Sequence, residues 1–248
     1  MISIKQTYNI KAKKPYLFIG SKVRGAFGYA LKEEVCINPS FECKGCFAAK
    51  ECLFYKFYEE QNTTHEYRLD FKLHSAKYKF SILLFGDAKK YKEVVHKAML
   101  DSLKEYSYID FKEKEKKLKI KQKSKIIKIA LLTPLRIKKQ NRFATKDIEL
   151  LDILLSIHKR YLDLQKLPYE RVKLNTNYKI ISKNLRYQEL TRRSNKQNTK
   201  MHLGGLMGEL IVNNVSEEIY KLLKIGEVIG VGKSTVFGLG KIKVEDLG

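Results

Sequence analysis

The chain has 248 residues, 44% of them hydrophobic, enough for one large domain or two of about 120 residues each. Fifty lysines and arginines oppose 27 acidic residues, and the resulting net charge of +23 points to a polyanion, with nucleic acid ahead of a membrane surface. No run of about 18 or more apolar residues could span a membrane, and "MISIKQTYNIKAKK" has no apolar signal segment, so a cytoplasmic protein is expected.

"MISIKQTYNI" alternates apolar and polar residues and reads as a strand. Ser21 is positioned to cap a helix over "KVRGAFGYALKEEV", with Val23, Phe27, Ala30 and Leu31 on one face. The chain's four cysteines follow in "VCINPSFECKGCFAAKEC". "KYKFSILLFG" is a second strand, and Asp87 is placed to open a helix over "DAKKYKEVVHKAMLDSLKEY". "KKLKIKQKSKIIKIALL" then alternates with Lys117, Lys119, Lys121, Lys123 and Lys125 along one side, as the wet face of a strand would. A break at "LLTPLRIKKQNRFATKD" leads to a helix opened by Thr145 or Asp147, with Ile148, Leu151, Leu155, Ile157 and Leu162 apolar. Strands in "NYKIISKNLRYQEL" and "GELIVNN", a helix in "SEEIYKLLKIG", a glycine-rich loop and a last strand complete the order.

The second half thus repeats the strand-and-helix plan of the first. The expectation is an α+β chain of two tandem ferredoxin-like domains, residues 1–128 and 129–248. The first carries a Cys₄ metal-binding insertion at residues 36–52.

Cys36, Cys43, Cys46 and Cys52 lie too close together for an ordinary cytosolic disulfide pattern and suit a single tetrahedral ion. Gly45 relaxes the Cys43–Cys46 knuckle, while Lys44 and Lys50 offset thiolate charge. Structural Zn²⁺ is expected; an iron–sulfur cluster fits the same ligand set.

"GEVIGVGKSTVFGLG" contains GKS but is not a P-loop. The position five residues before Gly232 is Glu227, a carboxylate where phosphates would sit, and "TVFGLGKIKV" runs into a strand rather than opening a helix. Gly230, Gly232, Gly238 and Gly240 instead would let backbone N–H groups approach a ribose–phosphate chain, with Lys233 and Ser234 adding a cation and a hydroxyl. A glycine-rich turn is the plainer reading of the same spacing.

"LLTPLRIKK", "RRSNKQNTKMHLGGLMGEL" and "KIGEVIGVGKSTVFGLG" resemble, in that order, the C-terminal half of the CRISPR-associated RAMP-superfamily endoribonucleases, which process precursor CRISPR RNA. The glycines match the family's GxGxxxxxGxG loop, and "GSKVRGAFGYALK" followed by four cysteines is similar to some relatives' N-terminal half. The resemblance implies cleavage of one phosphodiester in the repeat without a catalytic metal. The RNA's 2′-hydroxyl attacks and leaves a 2′,3′-cyclic phosphate and a 5′-hydroxyl. It also implies CRISPR repeat RNA as partner, further effector subunits as possible company, and a monomer or homodimer. The alternative is a non-catalytic crRNA-binding RAMP subunit.

Relatives place Tyr, His and Lys at or just after the first helix. Here Tyr29 stands where the family tyrosine lies and Lys22, Arg24 and Lys32 share its helix, but no histidine precedes His65. Of the five histidines, His96 and His158 read as helix packing or surface, and His65 and His74 flank a strand. His202, between a basic stretch and "GGLMGEL", is the preferred proton-moving group, with Tyr29, Lys22 and Lys32 beside it in the catalytic set. The RNA-binding set is Arg24, Arg136, Arg186, Arg192, Arg193, Lys196 and Lys200 with the glycine loop, and Tyr187 is available to stack on a base.

Overall fold

The computed structural model describes residues 2–14, 18–194 and 199–247. It divides after Lys117 into two compact units, Met1–Lys117 and Leu118–Gly248.

The first unit runs β1 (Ile2–Lys13), α1 (Gly20–Val35), β2 (Tyr67–Phe71), β3 (Lys77–Leu84), α2 (Lys92–Asp101) and β4 (Ile109–Lys117). Its antiparallel sheet has the order β2-β3-β1-β4, the ferredoxin-like arrangement. The period-2 pattern puts Ile4, Tyr8 and Ile10 of β1 on the same face as Phe80, Ile82 and Leu84 of β3, all buried. Val23, Phe27 and Leu31 of α1 and Val95 and Met99 of α2 are likewise buried, each contributing roughly 1.5–3 kcal/mol relative to exposure. Ser21 does not cap α1; Ile19 occupies the cap position and no side chain caps there. Asp87 opens a 3-10 turn (Gly86–Tyr91) before α2, paired with Lys90 at 2.7 Å. β2 is the strand that His65 and His74 flank; Arg68 is buried along with Tyr67 and Leu69, so its polar alternation is weak.

The second unit repeats the topology with additions. It runs β5 (Ile127–Leu135), a small hairpin of β6 (Lys138–Lys139) and β7 (Arg142–Phe143), α3 (Leu150–Gln165), β8 (Lys179–Gln188), β9 (Thr191–Ser194), β10 (Thr199–His202), β11 (Gly205–Asn213), α4 (Glu217–Ile229) and β12 (Ile242–Asp246). Its main sheet is ordered β12-β5-β11-β8, again antiparallel. α3 starts later than Thr145 or Asp147: Glu149 and Asp152 form a reciprocal capping box, and Leu155 lies outside the buried face of Ile153, Leu154 and Ile157. α4 starts as the sequence signals, with Ser216 Oγ accepting from the Ile219 N–H at 3.3 Å.

The division between units precedes the expected one. Lys117, Lys119, Lys121, Lys123 and Lys125 do not line one strand: β4 ends at Lys117, and Ile127 begins β5 in the other unit. Residues 118–126 belong to neither strand, although Ser124 and Lys123 N–H groups are held by Asp246.

Candidate functional site

The glycine-rich loop joins α4 to β12, and its backbone is engaged within its own unit. The Val231 N–H donates to Gly240 O at 2.9 Å, Gly240 N–H to Pro134 O at 3.0 Å, and Lys233 N–H to Arg136 O at 2.8 Å. Gly232 N–H donates to Ser156 Oγ at 3.0 Å, Gly238 N–H to Thr235 O at 2.8 Å, and Thr133 Oγ1 to Gly238 O at 3.0 Å. These bonds give the glycines a different role from the expected one. The N–H groups of Gly232, Lys233, Gly238 and Gly240 are satisfied internally instead of facing a phosphate. Gly232 (φ 75) and Gly240 (φ 68) are needed because a Cβ would strike the carbonyls of Arg136 and Val231 respectively. Gly230 (φ 80) ends α4, where the buried Arg160 Nε donates to Ile229 O at 2.9 Å. Gly230, Gly238 and Gly240 are buried; Lys233 is exposed and Ser234 half-buried, so what the loop presents outward is a cationic tip.

Behind the loop stands a polar wall. Arg136, at the end of β5, is 8% exposed; its Nη1 donates to Gly204 O at 2.7 Å and its guanidinium packs 4.1 Å from the Phe143 ring centroid. Its Nε has no partner, and burial lowers its pKa while Tyr187 and Glu189 act in the opposite sense. Tyr187, near the end of β8, lies against Gly204; desolvation first, then the Glu189 carboxylate, raises its pKa. Glu189 Oε1 in turn lies 3.0 Å from His202 Nδ1, and both side chains are substantially exposed. The hairpin makes this meeting: β9 and β10 pair with Thr191 opposite His202, and Leu203 N–H donates to Leu190 O at 2.6 Å.

Among the other expected RNA contacts, Arg186 is exposed on β8. Arg192, Arg193 and Lys200 have their backbones in the β9–β10 hairpin, and Lys196 lies outside the described residues. Glu189 is the single acid of the basic stretch 183–202, and it is the pairing of β9 with β10 that folds residue 189 back towards 202.

In the first unit the expected site residues Lys22, Arg24, Tyr29 and Lys32 all lie on α1. Lys22 and Tyr29 are exposed on α1, Lys22 being 3.9 Å from Glu105. The Tyr29 hydroxyl is hydrogen-bonded to Glu33, which raises its pKa. Lys32 Nζ lies 5.3 Å from the Phe54 ring centroid and 5.9 Å from that of Phe41. Arg24 does not face outward: its Nε donates to Tyr67 Oη at 3.1 Å and its guanidinium sits 4.2 Å over the Tyr58 ring, a packing role rather than an RNA contact. His96 packs as expected, stacked on Phe111 at 3.8 Å between centroids with Nδ1 3.1 Å from Tyr8 Oη. His65 Nδ1 lies 2.9 Å from Lys56 O, His158 Nε2 3.0 Å from Glu170 O, and His74 is exposed.

The four cysteines are reduced and half-buried along an irregular segment. Among the described residues, no group of three or more His, Cys, Asp or Glu is placed to hold a metal ion. Burial raises the Cys43 pKa, Lys32 opposes this, and Glu59, Cys52 and Cys36 add to the rise, so Cys43 lies within electrostatic reach of Cys52 and Cys36. Among the described residues no helix is long and apolar enough to cross a membrane.

Residues 129–242 match the family model described as CRISPR-associated endoribonuclease Cas6, and residues 7–122 match a second model described as an N-terminal domain. No curated protein matches the chain. Among solved structures, Thermus thermophilus Cas6 is similar at 15% identity over 99% of this chain and 98% of that one, with a TM-score of 0.56. A product complex of the same Thermus protein reaches a TM-score of 0.64 at 15% identity, covering 99% of each chain. The product of a Cas6-related gene from Pyrococcus furiosus is 14% identical over 98% of each chain, with a TM-score of 0.51. These likenesses establish the double ferredoxin-like fold.

Proposed function

We propose that this chain binds CRISPR repeat RNA and cuts precursor crRNA at one phosphodiester, because residues 129–242 match the model of the CRISPR-associated Cas6 endoribonucleases. That family match is the observation carrying the reading. The fold shared with Thermus Cas6 supports it, as do the +23 charge and the basic β8–β10 wall. The solved relatives include a Cas6 substrate-mimic complex and a RAMP protein described as binding different RNA substrates.

The proposed chemistry needs no catalytic metal, because the nucleophile belongs to the substrate. The 2′-hydroxyl loses its proton to a base as O2′ bonds to phosphorus; the P–O5′ bond breaks, and O5′ takes a proton from an acid. The products are a 2′,3′-cyclic phosphate and a 5′-hydroxyl. His202 is the proposed proton-moving group, since imidazole serves as base or acid near neutrality. Lys233, Arg186 and the hairpin's basic residues supply charge for the phosphates. Tyr29, Lys22 and Lys32 form a second proposed group on α1, able to donate to phosphate oxygens. The absence of a histidine on α1 favours one competing reading, a crRNA-binding subunit that does not cleave.

The cysteine segment is proposed to close on one structural Zn²⁺, supported by its four-thiol donor set and by the effect of Cys36 and Cys52 on Cys43. No step of the reaction passes through it.

Incubation with repeat RNA in EDTA tests the activity. One internal cut with a cyclic-phosphate end is expected; tight binding with RNA left intact selects the non-cleaving subunit instead.

A further inference from the structure

The polar wall of the second unit contains a chain of side chains that ends on His202, and its order has a chemical consequence. An ionised carboxylate can only accept hydrogen bonds. With Glu189 Oε1 3.0 Å from Nδ1, a neutral His202 carries its proton on Nδ1 and leaves Nε2 with a free lone pair. Tyr187, on β8, lies close enough to Glu189 that, after desolvation, the carboxylate raises the pKa of its hydroxyl. Arg136, buried at the end of β5, is close enough to act electrostatically on both Tyr187 and Glu189. Arg136 also ties the parts together, donating to Gly204 O just past His202 and accepting from the Lys233 N–H of the glycine loop through its own carbonyl.

We propose that Glu189 is the positioning residue of His202, fixing the Nδ1–H tautomer so that Nε2 is the atom that takes the proton from the RNA's 2′-hydroxyl, and that Tyr187 steadies Glu189. This rests on the catalytic reading of His202 given above. The proton balance is simple. Nε2 takes one proton as O2′ bonds to phosphorus, and the imidazolium that forms is stabilised by the carboxylate on its other side, which itself stays ionised. Both partners are exposed, so the pair contributes little to folding. Its effect lies in orientation.

The test pairs a spectroscopic measurement without RNA with a kinetic one. Ring ¹⁵N shifts of His202 in the intact chain should report the Nδ1–H form in the wild type and a shift towards Nε2–H in Glu189→Ala. Glu189→Gln, whose amide carbonyl still accepts, should retain Nδ1–H. Single-turnover cleavage of repeat RNA by Glu189→Ala should fall about tenfold or more, with RNA affinity and melting temperature unchanged. Tyr187→Phe should lose less. A tautomer that does not respond to Glu189→Ala overturns the proposal. So does a wild-type cleavage rate for Glu189→Ala where His202→Ala is impaired. Should His202→Ala itself cleave at the wild-type rate, the catalytic role of His202 falls, and any tautomer change at Glu189→Ala is then unconnected to the reaction.

Discussion

The two units share one strand order, and they differ in which connections they elaborate. In the first, the link from β2 to β3 is only residues 72–76, whereas the link from α1 to β2 is long and carries the four cysteines and a packed aromatic group of Phe54, Phe57 and Tyr58. In the second, the corresponding strand-to-strand link spans residues 189–204 and carries Glu189, the basic hairpin and His202. Its last helix-to-strand link is the glycine loop. The contrast extends to buried cations. Arg24 is held by Tyr58 and Tyr67 within its own unit, while Arg136 donates to Gly204 O, accepts from the Lys233 N–H of the glycine loop and acts electrostatically on Tyr187 and Glu189. One topology therefore holds a stabilising elaboration in one copy and a chemically equipped one in the other, because connections carry site residues while strands and helices set where they stand.

The largest expected effect breaks the second unit's wall. Gly240→Ala puts a Cβ into Val231 O at φ 68, so both strain and collision apply, and a loss of about 3 kcal/mol in urea unfolding is expected. Gly45, on the cysteine segment, also has a positive φ of 70 but nothing within 4 Å of its would-be Cβ. Gly45→Ala should cost only about 1 kcal/mol, from backbone strain alone. Equal losses at the two positions would mean that the loop's close contacts do not set its stability.

That loop also marks the limit of what the sequence made legible. The repeated plan, β1, β3, α4 and β12 could be read because their apolar periods are clean and Ser216 caps as its position suggests. The spacing of Gly230, Gly232, Gly238 and Gly240 marked a place where backbone comes close, but spacing does not say what approaches. The partners are Arg136 O, Pro134 O and Ser156 Oγ, residues far away in the chain. The same holds for Arg24: a cation on a helix reads as exposed until Tyr58 and Tyr67 are seen to enclose it. His202 could be singled out from its basic setting, whereas its pairing with Glu189 needed the hairpin register. The boundary between units was obscured because alternating lysines continue while the chain leaves one sheet for the other.

The next effect concerns the first unit's elaboration. If the cysteine segment closes on Zn²⁺, the chain as purified should carry about one ion, and Cys43→Ser with Cys46→Ser should release it. Because a structural site contributes directly to folding, the melting temperature should fall by about 5 °C. Cleavage by the remaining folded protein should be little changed, since the ion takes no part in the reaction. A metal-free chain whose melting temperature ignores the double substitution would overturn the structural-ion reading.

The smallest effect sharpens the contrast where the units compete for the chemistry. Tyr29 is exposed on α1, and its hydrogen bond to Glu33 raises its pKa, so near neutrality it keeps its proton. In that state it can donate a hydrogen bond to a phosphate oxygen but is a poor base for the 2′-hydroxyl, which needs a group that releases and recovers a proton in the neutral range. Tyr29→Phe removes only the donor, so the single-turnover rate should fall by about three- to tenfold, within the range of one ordinary hydrogen bond. His202→Ala should fall by at least about 100-fold, the usual size of an acid–base contribution. The two losses are to be measured on the same repeat RNA at saturating protein, so that binding does not enter. A loss at Tyr29 as large as that at His202 would place the proton chemistry on α1, and the first unit would then be the chemically equipped copy.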